Sequence, residues 1–295
     1  MSSNDSYYIP SKAVWPVVVV AGTTFMLAGL ANLINGLGGG KLLLYPGILL
    51  LVVGLTAWFR DQSVESETGR FNHQVGNSYR LGMVWFIFSE VMFFAAFFGT
   101  LFYTRYLAVP WLAGDGAGPG LFSYEYLWGA VESAKDYTAA WPSNGPGRVG
   151  GEFEKMAALG LPLVNTFILL SSGFTINKAH HALLADHRKP LKLWMAATIV
   201  LGISFLVLQG IEYHHAYTEM GLTLGAGIYG STFFLLTGFH GLHVTLGTFM
   251  LCMILLRIYR GHFSPENHFA FEGVAWYWHF VDVVWLLLFV LVYWM

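Results

Sequence analysis

Apolar and polar positions in this chain fall into long blocks and do not alternate residue by residue. Seven apolar runs stand out, at 14–34, 42–59, 81–104, 157–177, 193–213, 229–256 and 273–294. A helix needs about 20 mostly apolar residues to span hydrocarbon, so each run predicts a transmembrane helix. The second run is short, and the sixth is long enough to tilt or protrude. Barrel strands are excluded, because the runs lack period-two alternation and are far longer than such strands. The expected fold class is all-α: a polytopic membrane protein with seven transmembrane helices.

The interruptions are polar and rich in turn formers. GLGGGK at 36–41 joins the first pair, and 60–80 reads as a polar connector. Residues 105–156 form the one long loop, with turns at WLAGDGAGPG and WPSNGPGRVG and a short surface helix between them. The basic segment 181–192 ends its helix near Pro190, and 257–268 is the last connector. With the N-terminus cytoplasmic, the inner side carries Lys12, Arg60, Arg70, Arg80, Lys178, Arg188, Lys189, Lys192, Arg257 and Arg260. The outer side carries Lys41, Arg105, Lys135, Arg148 and Lys155. Positive charge collects on the cytoplasmic side, which sets this orientation and places the C-terminus outside.

Composition agrees with the pattern. Of the 295 residues 56% are hydrophobic and 11% charged, against roughly 25% charged in an ordinary soluble domain. The formal charge of -2 gives no reason to expect a nucleic-acid partner. Cys252 is the single cysteine, so no internal disulfide can form. The first residues resemble neither a secretory signal nor an Arg-rich transit peptide, and the first apolar run is expected to be retained.

Few residues could carry chemistry. Glu90 lies ten residues into the third run, about 15 Å from its inner end at 1.5 Å per residue. An ionised carboxylate at that depth is costly, so Glu90 is expected to be protonated, paired or lining a polar crevice. A proton-linked carboxyl and a neutral acid locking two helices are both open readings. Glu212 and His215 share a face at i, i+3, as do His240 and His243, and His279 and Asp282. Metal ligation is conceivable for the histidines, but packed, hydrogen-bonded side chains account for them with fewer assumptions. His73, Arg80, Arg257 and His268 sit at cytoplasmic helix ends, where basic groups meet lipid phosphates. No phosphate-binding GxxxxGK[ST], no GxGxxG after a strand and no CxxC occurs. An independent transporter or proton channel using Glu90 is the competing class.

Four long motifs then resemble a known family. RLGMVWFIFSEVMFFAAFF, LPLVNTFILLSSGFTINKAHHAL, GIYGSTFFLLTGFHGLHV and FEGVAWYWHFVDVVWLLLFVLVYW are similar to subunit III of the haem–copper cytochrome c oxidases, from Arg80 to Met295. The resemblance implies an N-terminal two-helix bundle (1–60), a connector (61–80) and a five-helix bundle (81–295), arranged around a V-shaped cleft that holds phospholipids. It implies no catalytic residue, no metal and no cofactor in this chain, with haem and copper in partner subunits. Expected partners are subunit I in direct contact, subunit II, a small fourth subunit, bound phospholipids, and cytochrome c as donor to the complex. Expected roles are support of proton uptake into subunit I and protection against turnover inactivation. Glu90 matches the family's carbodiimide-reactive carboxyl, and His73, Arg80, Arg257 and His268 are the headgroup candidates. The extended loop 105–156 favours a bacterial aa3-type enzyme in the inner membrane, and seven helices favour cytochrome c over quinol as donor.

Overall fold

The computed structural model describes residue 8, residues 14–113 and residues 137–295. Lys12, Lys135, most of the turn WLAGDGAGPG and the expected surface helix lie outside the described residues. Seven long helices are present: α1 (Trp15–Ile34), α2 (Gly40–Glu67), α3 (His73–Tyr103), α4 (Leu161–Leu184), α5 (Arg188–Thr218), α6 (Gly227–Tyr259) and α7 (Phe269–Leu288). A π-turn at Thr104–Ala108 and a helical turn at Val109–Leu112 extend α3, and a π-turn at Phe289–Trp294 extends α7. No strand occurs among the described residues, and the fold is all-helical.

Several boundaries differ from expectation for identifiable reasons. The polar stretch 60–80 is helical except at 68–72, because α2 continues to Glu67 and α3 begins at His73. A polar sequence carries no hydrophobic signal, yet it extends a helix already nucleated in the apolar run. The long loop begins later than 105, since α3 and its extension reach Leu112. Pro190 does not end α4. It lies in the first turn of α5, where a missing backbone N–H is tolerated. At 33 residues α6 runs about 50 Å, well beyond a ~30 Å hydrocarbon core.

Six of the seven helices are long and apolar enough to cross a membrane. The exception, α4, has the length at 24 residues but is more polar. Its Asn165, Thr166, Ser172 and Thr175 are all buried, so this part of its polarity faces protein.

The chain divides into two compact units, Met1–Leu81 and Gly82–Met295. In the first, α1 packs along α2 at backbone contact. A Cβ on Gly47 would lie 2.3 Å from Met26 N, and one on Gly29 would lie 2.4 Å from Leu44 N. Glycine is what lets two membrane helices approach this closely. The connecting turn uses left-handed Gly36 (φ 67°) and Gly39 (φ 80°). The Trp15 indole donates to Asp61, which ties the start of α1 to α2, and the Tyr79 phenol donates to Gln62, which ties the first turns of α3 to α2.

In the second unit α4, α5, α6 and α7 pack each on the next, and α4 also meets α7. The four helices thus close around one core. Trp278 is fully buried there, against Gly202 and Gly247, where an added Cβ would come within 2.8 and 2.9 Å of its ring. Its Nε1 donates to Ser172 Oγ at 2.8 Å, and Trp285 Nε1 donates to Thr166 Oγ1 at 2.9 Å. The small polar residues of α4 are therefore acceptors for indoles that would otherwise bury an unmet donor. Outward faces are apolar, as at Trp85, Leu193 and Phe249, which suits lipid as solvent.

Candidate functional site

Helix α3 carries Glu90 against α6. Its side chain is 23% exposed, and Oε2 lies 2.9 Å from Nε2 of His243, itself 10% exposed. His243 Nδ1 lies 2.6 Å from the carbonyl oxygen of Phe239, one turn earlier on α6. A carbonyl can only accept, so Nδ1 carries a hydrogen. The link from Nε2 to Glu90 then holds one proton. It is either a neutral carboxylic acid donating to a neutral imidazole, or an imidazolium donating to a carboxylate. The pair is electrically neutral in both forms, which is what a mid-membrane position demands. Aromatic rings wall it in: Phe94 meets the His243 ring edge-on at 5.0 Å, and Tyr277 lies parallel to it at 6.3 Å.

Two of the three i, i+3 pairs part company. Glu212 turns into the core, where its Oε1 accepts from the Tyr293 phenol at 2.6 Å. His215 stays on the surface beside Glu219 at 3.0 Å. His240 is buried between Phe205 and Trp285, while His243 turns to Glu90. His279 Nδ1 and Asp282 Oδ2 are 3.7 Å apart, and the other ring nitrogen reaches Asn177 Oδ1 at 3.1 Å. Asp282 lies hard against α4, where a Cβ on Gly173 would come within 2.5 Å of Oδ2. Among the described residues no three of His, Cys, Asp and Glu converge as a metal site requires.

The headgroup candidates hold structural bonds as well. His73 opens α3, with Nδ1 3.3 Å from Asn77 Nδ2, and Arg80 lies two turns on. Arg257 Nε donates to His262 Nδ1 at 3.4 Å, and its guanidinium covers the Phe263 ring at 4.4 Å. His268 Nδ1 lies 3.1 Å from Ser264 O, and its ring faces His180. The residue that pins this connector is Arg188, which the sequence placed only among the cytoplasmic charges. It donates to the carbonyls of His262 at 3.0 Å and Phe263 at 2.6 Å, beside a left-handed Phe263 (φ 69°). Sequence reasoning also missed His243 as the partner of Glu90. The signal available was that a midplane carboxyl needs a donor, and that His243 lies on an apolar run.

Comparison with known proteins bears on these residues as a whole. The family model described as "Cytochrome c oxidase subunit III" matches residues 5–114 and 120–295. Cytochrome c oxidase subunit 3 of Paracentrotus lividus is 38% identical over 296 residues, covering 100% of this chain and 98% of its own. The Formosania lacustris protein of the same name is 37% identical over 290 residues, covering 98% and 97%. That of Arabidopsis thaliana is 36% identical over 294 residues, covering 99% and 97%.

Proposed function

The chain belongs to the cytochrome c oxidase subunit III family, and on that premise we propose that it is a non-catalytic core subunit of a proton-pumping oxidase. Subunits I and II of that complex would hold haem and copper and pass electrons from cytochrome c to O2. This chain would pack on subunit I, support proton uptake there, bind phospholipid and slow inactivation during turnover. It is a multi-pass membrane protein. The charge distribution supports a cytoplasmic N-terminus and a periplasmic C-terminus, and the long loop supports a bacterial inner membrane.

The observation that carries the supporting role is the neutral Glu90–His243 pair. Each member satisfies the other, and His243 is also tied to its own helix. That arrangement suits a scaffold helix contact that can hold one proton. It suits an autonomous channel less well, because a conducting carboxyl must release its partner in every cycle. For the basic helix ends, Arg257 and His268 are each bonded to the connector between α6 and α7, which would hold these two donors in place for anionic headgroups.

The test is turnover in oxidase with and without this chain. Oxidase lacking it is expected to start at a rate within about twofold of the complete complex and to lose activity several times faster during turnover. Arg257→Ala in the complete complex is expected to lower retained lipid phosphorus and to move inactivation part of the way. An unchanged inactivation rate on depletion contradicts the protective role.

A further inference from the structure

Not all of the polarity of α4 and α7 turns inward. His279 keeps 38% of its side chain exposed, and Asn177, its hydrogen-bond partner on α4, is exposed as well. Helix α7 with its π-turn runs 26 residues, Phe269–Trp294, which is about 39 Å at 1.5 Å per residue. His279 lies about 15 Å along that span, within about 5 Å of its middle. Hydrocarbon extends about 15 Å to either side of the bilayer midplane, so headgroups and bulk water are out of reach of this pair. The neighbours on the same face are apolar and exposed: Phe174, one turn from Asn177 on α4, and Val283, one turn from His279 on α7.

Donors and acceptors are unequally placed here. His279 Nε2 lies 3.1 Å from Asn177 Oδ1. An amide oxygen only accepts, so Nε2 carries a hydrogen and donates it. Asp282, the other group beside His279, is held inward: its side chain is 9% exposed, 3.7 Å from Nδ1 and against Gly173 of α4. The Asn177 amide nitrogen keeps two hydrogens, and among the described residues no acceptor meets them. Lipid tails offer no acceptor either, so both hydrogens stand bare in hydrocarbon. Polar groups at this depth face protein or a polar cavity, and this face presents them to neither within the chain.

We propose that this face of α4 and α7 docks a transmembrane helix of another protein, which sets a hydroxyl, amide or carboxyl oxygen against the Asn177 amide near the middle of the bilayer. Side-chain hydrogen bonds between neighbouring helices, with close packing, hold membrane helices together where no hydrophobic force acts. The occupant is a different chain, because the patch does not complement itself. A second copy related by a two-fold axis would turn Asn177 hydrogens toward Asn177 hydrogens, since the amide oxygen is already taken by His279. The argument uses the side chains of this chain alone; the oxidase reading adds only the complex from which the partner comes.

The experiment is site-specific photo-crosslinking of the full chain in its native membrane. A photoreactive residue replaces Phe174 or Val283, one at a time, with Asn177 and His279 intact. Both positions are expected to crosslink to the same polypeptide. Mass spectrometry of the product is expected to place the crosslink in a transmembrane segment, with a Ser, Thr, Asn, Gln, Asp or Glu within one helical turn of it. With the probe at Val283, Asn177→Leu is expected to lower the yield by about fivefold, while Asn177→Gln, which keeps the two hydrogens, stays within about twofold of native. Crosslinks to lipid only, to a second copy of this chain, or to a segment with no acceptor side chain overturn the proposal, as does an unchanged yield in Asn177→Leu. The mapping needs no change at Asn177, so it decides the matter even if Asn177→Leu fails to fold. A partner that belongs to no haem–copper oxidase contradicts the proposed function and upholds this contact.

Discussion

Gly47→Leu is expected to take the α1–α2 hairpin apart. The nearest neighbours of a side chain at Gly47 are backbone atoms of Met26 and Phe25, at 2.3–2.8 Å from the Cβ alone. A flexible side chain could turn away, but backbone cannot, so the helices must separate along their length. Overpacking in a dense interior costs about 1–3 kcal/mol, and more where backbone has to move. In lipid no hydrophobic force draws the separated helices back together, since contact between them rests on close packing. The expected result is a lower thermal midpoint for the unit Met1–Leu81 and faster proteolysis at the Gly36–Gly39 turn. Leu49→Ala, at an exposed position of α2, is the control and should change neither. Equal midpoints for the two variants would show that the close approach carries no stability.

The second large effect is an asymmetry between the two members of the Glu90–His243 pair. Glu90→Gln keeps a donor at the link, because the amide nitrogen can donate to Nε2 of a neutral His243. That variant is expected to assemble, lose less than about 1 kcal/mol, and retain most initial oxidase turnover. His243→Leu leaves the carboxyl with no partner at that oxygen, beside the Phe93 and Phe94 rings that pack on His243. Its expected cost is on the order of 1–3 kcal/mol. Thermal unfolding in one detergent compares the two, and a cost for Glu90→Gln equal to or above that of His243→Leu would contradict the single-proton link. Complete loss of turnover in an assembled Glu90→Gln complex would instead make this carboxyl a conducting group.

These expectations show where the sequence was readable. Apolar runs of about 20 residues marked each of the seven long helices among the described residues, because a membrane rewards length and apolarity directly. Helix ends were less readable wherever the helix left hydrocarbon. Residues 60–67 continue α2 with no apolar residue pattern to mark them, and Pro190 looked like a stop although it begins a helix. The polarity of α4 was visible, but its reason was not: Thr166 and Ser172 accept from Trp285 and Trp278, more than 100 residues away. The same distance hid the central contact of the site. Glu90 was singled out by depth alone, while its partner lies 153 residues along the chain. Of the basic candidates, Arg257 lies in the last turn of α6 and His268 at the start of α7, helix ends that the polar connector 257–268 marked in the sequence. Their bonds to His262 and Ser264 depend on the conformation of a connector that only the fold supplies.

The central claim is that this chain serves a haem–copper oxidase without carrying its chemistry. Purification in mild detergent, with subunit, haem and metal analysis of the product, tests it most directly. The account predicts that the chain copurifies with haem- and copper-bearing subunits, and that the separated chain holds neither metal in stoichiometric amount. A chain that purifies alone and moves protons in liposomes, with the flux abolished by Glu90→Gln, would contradict it.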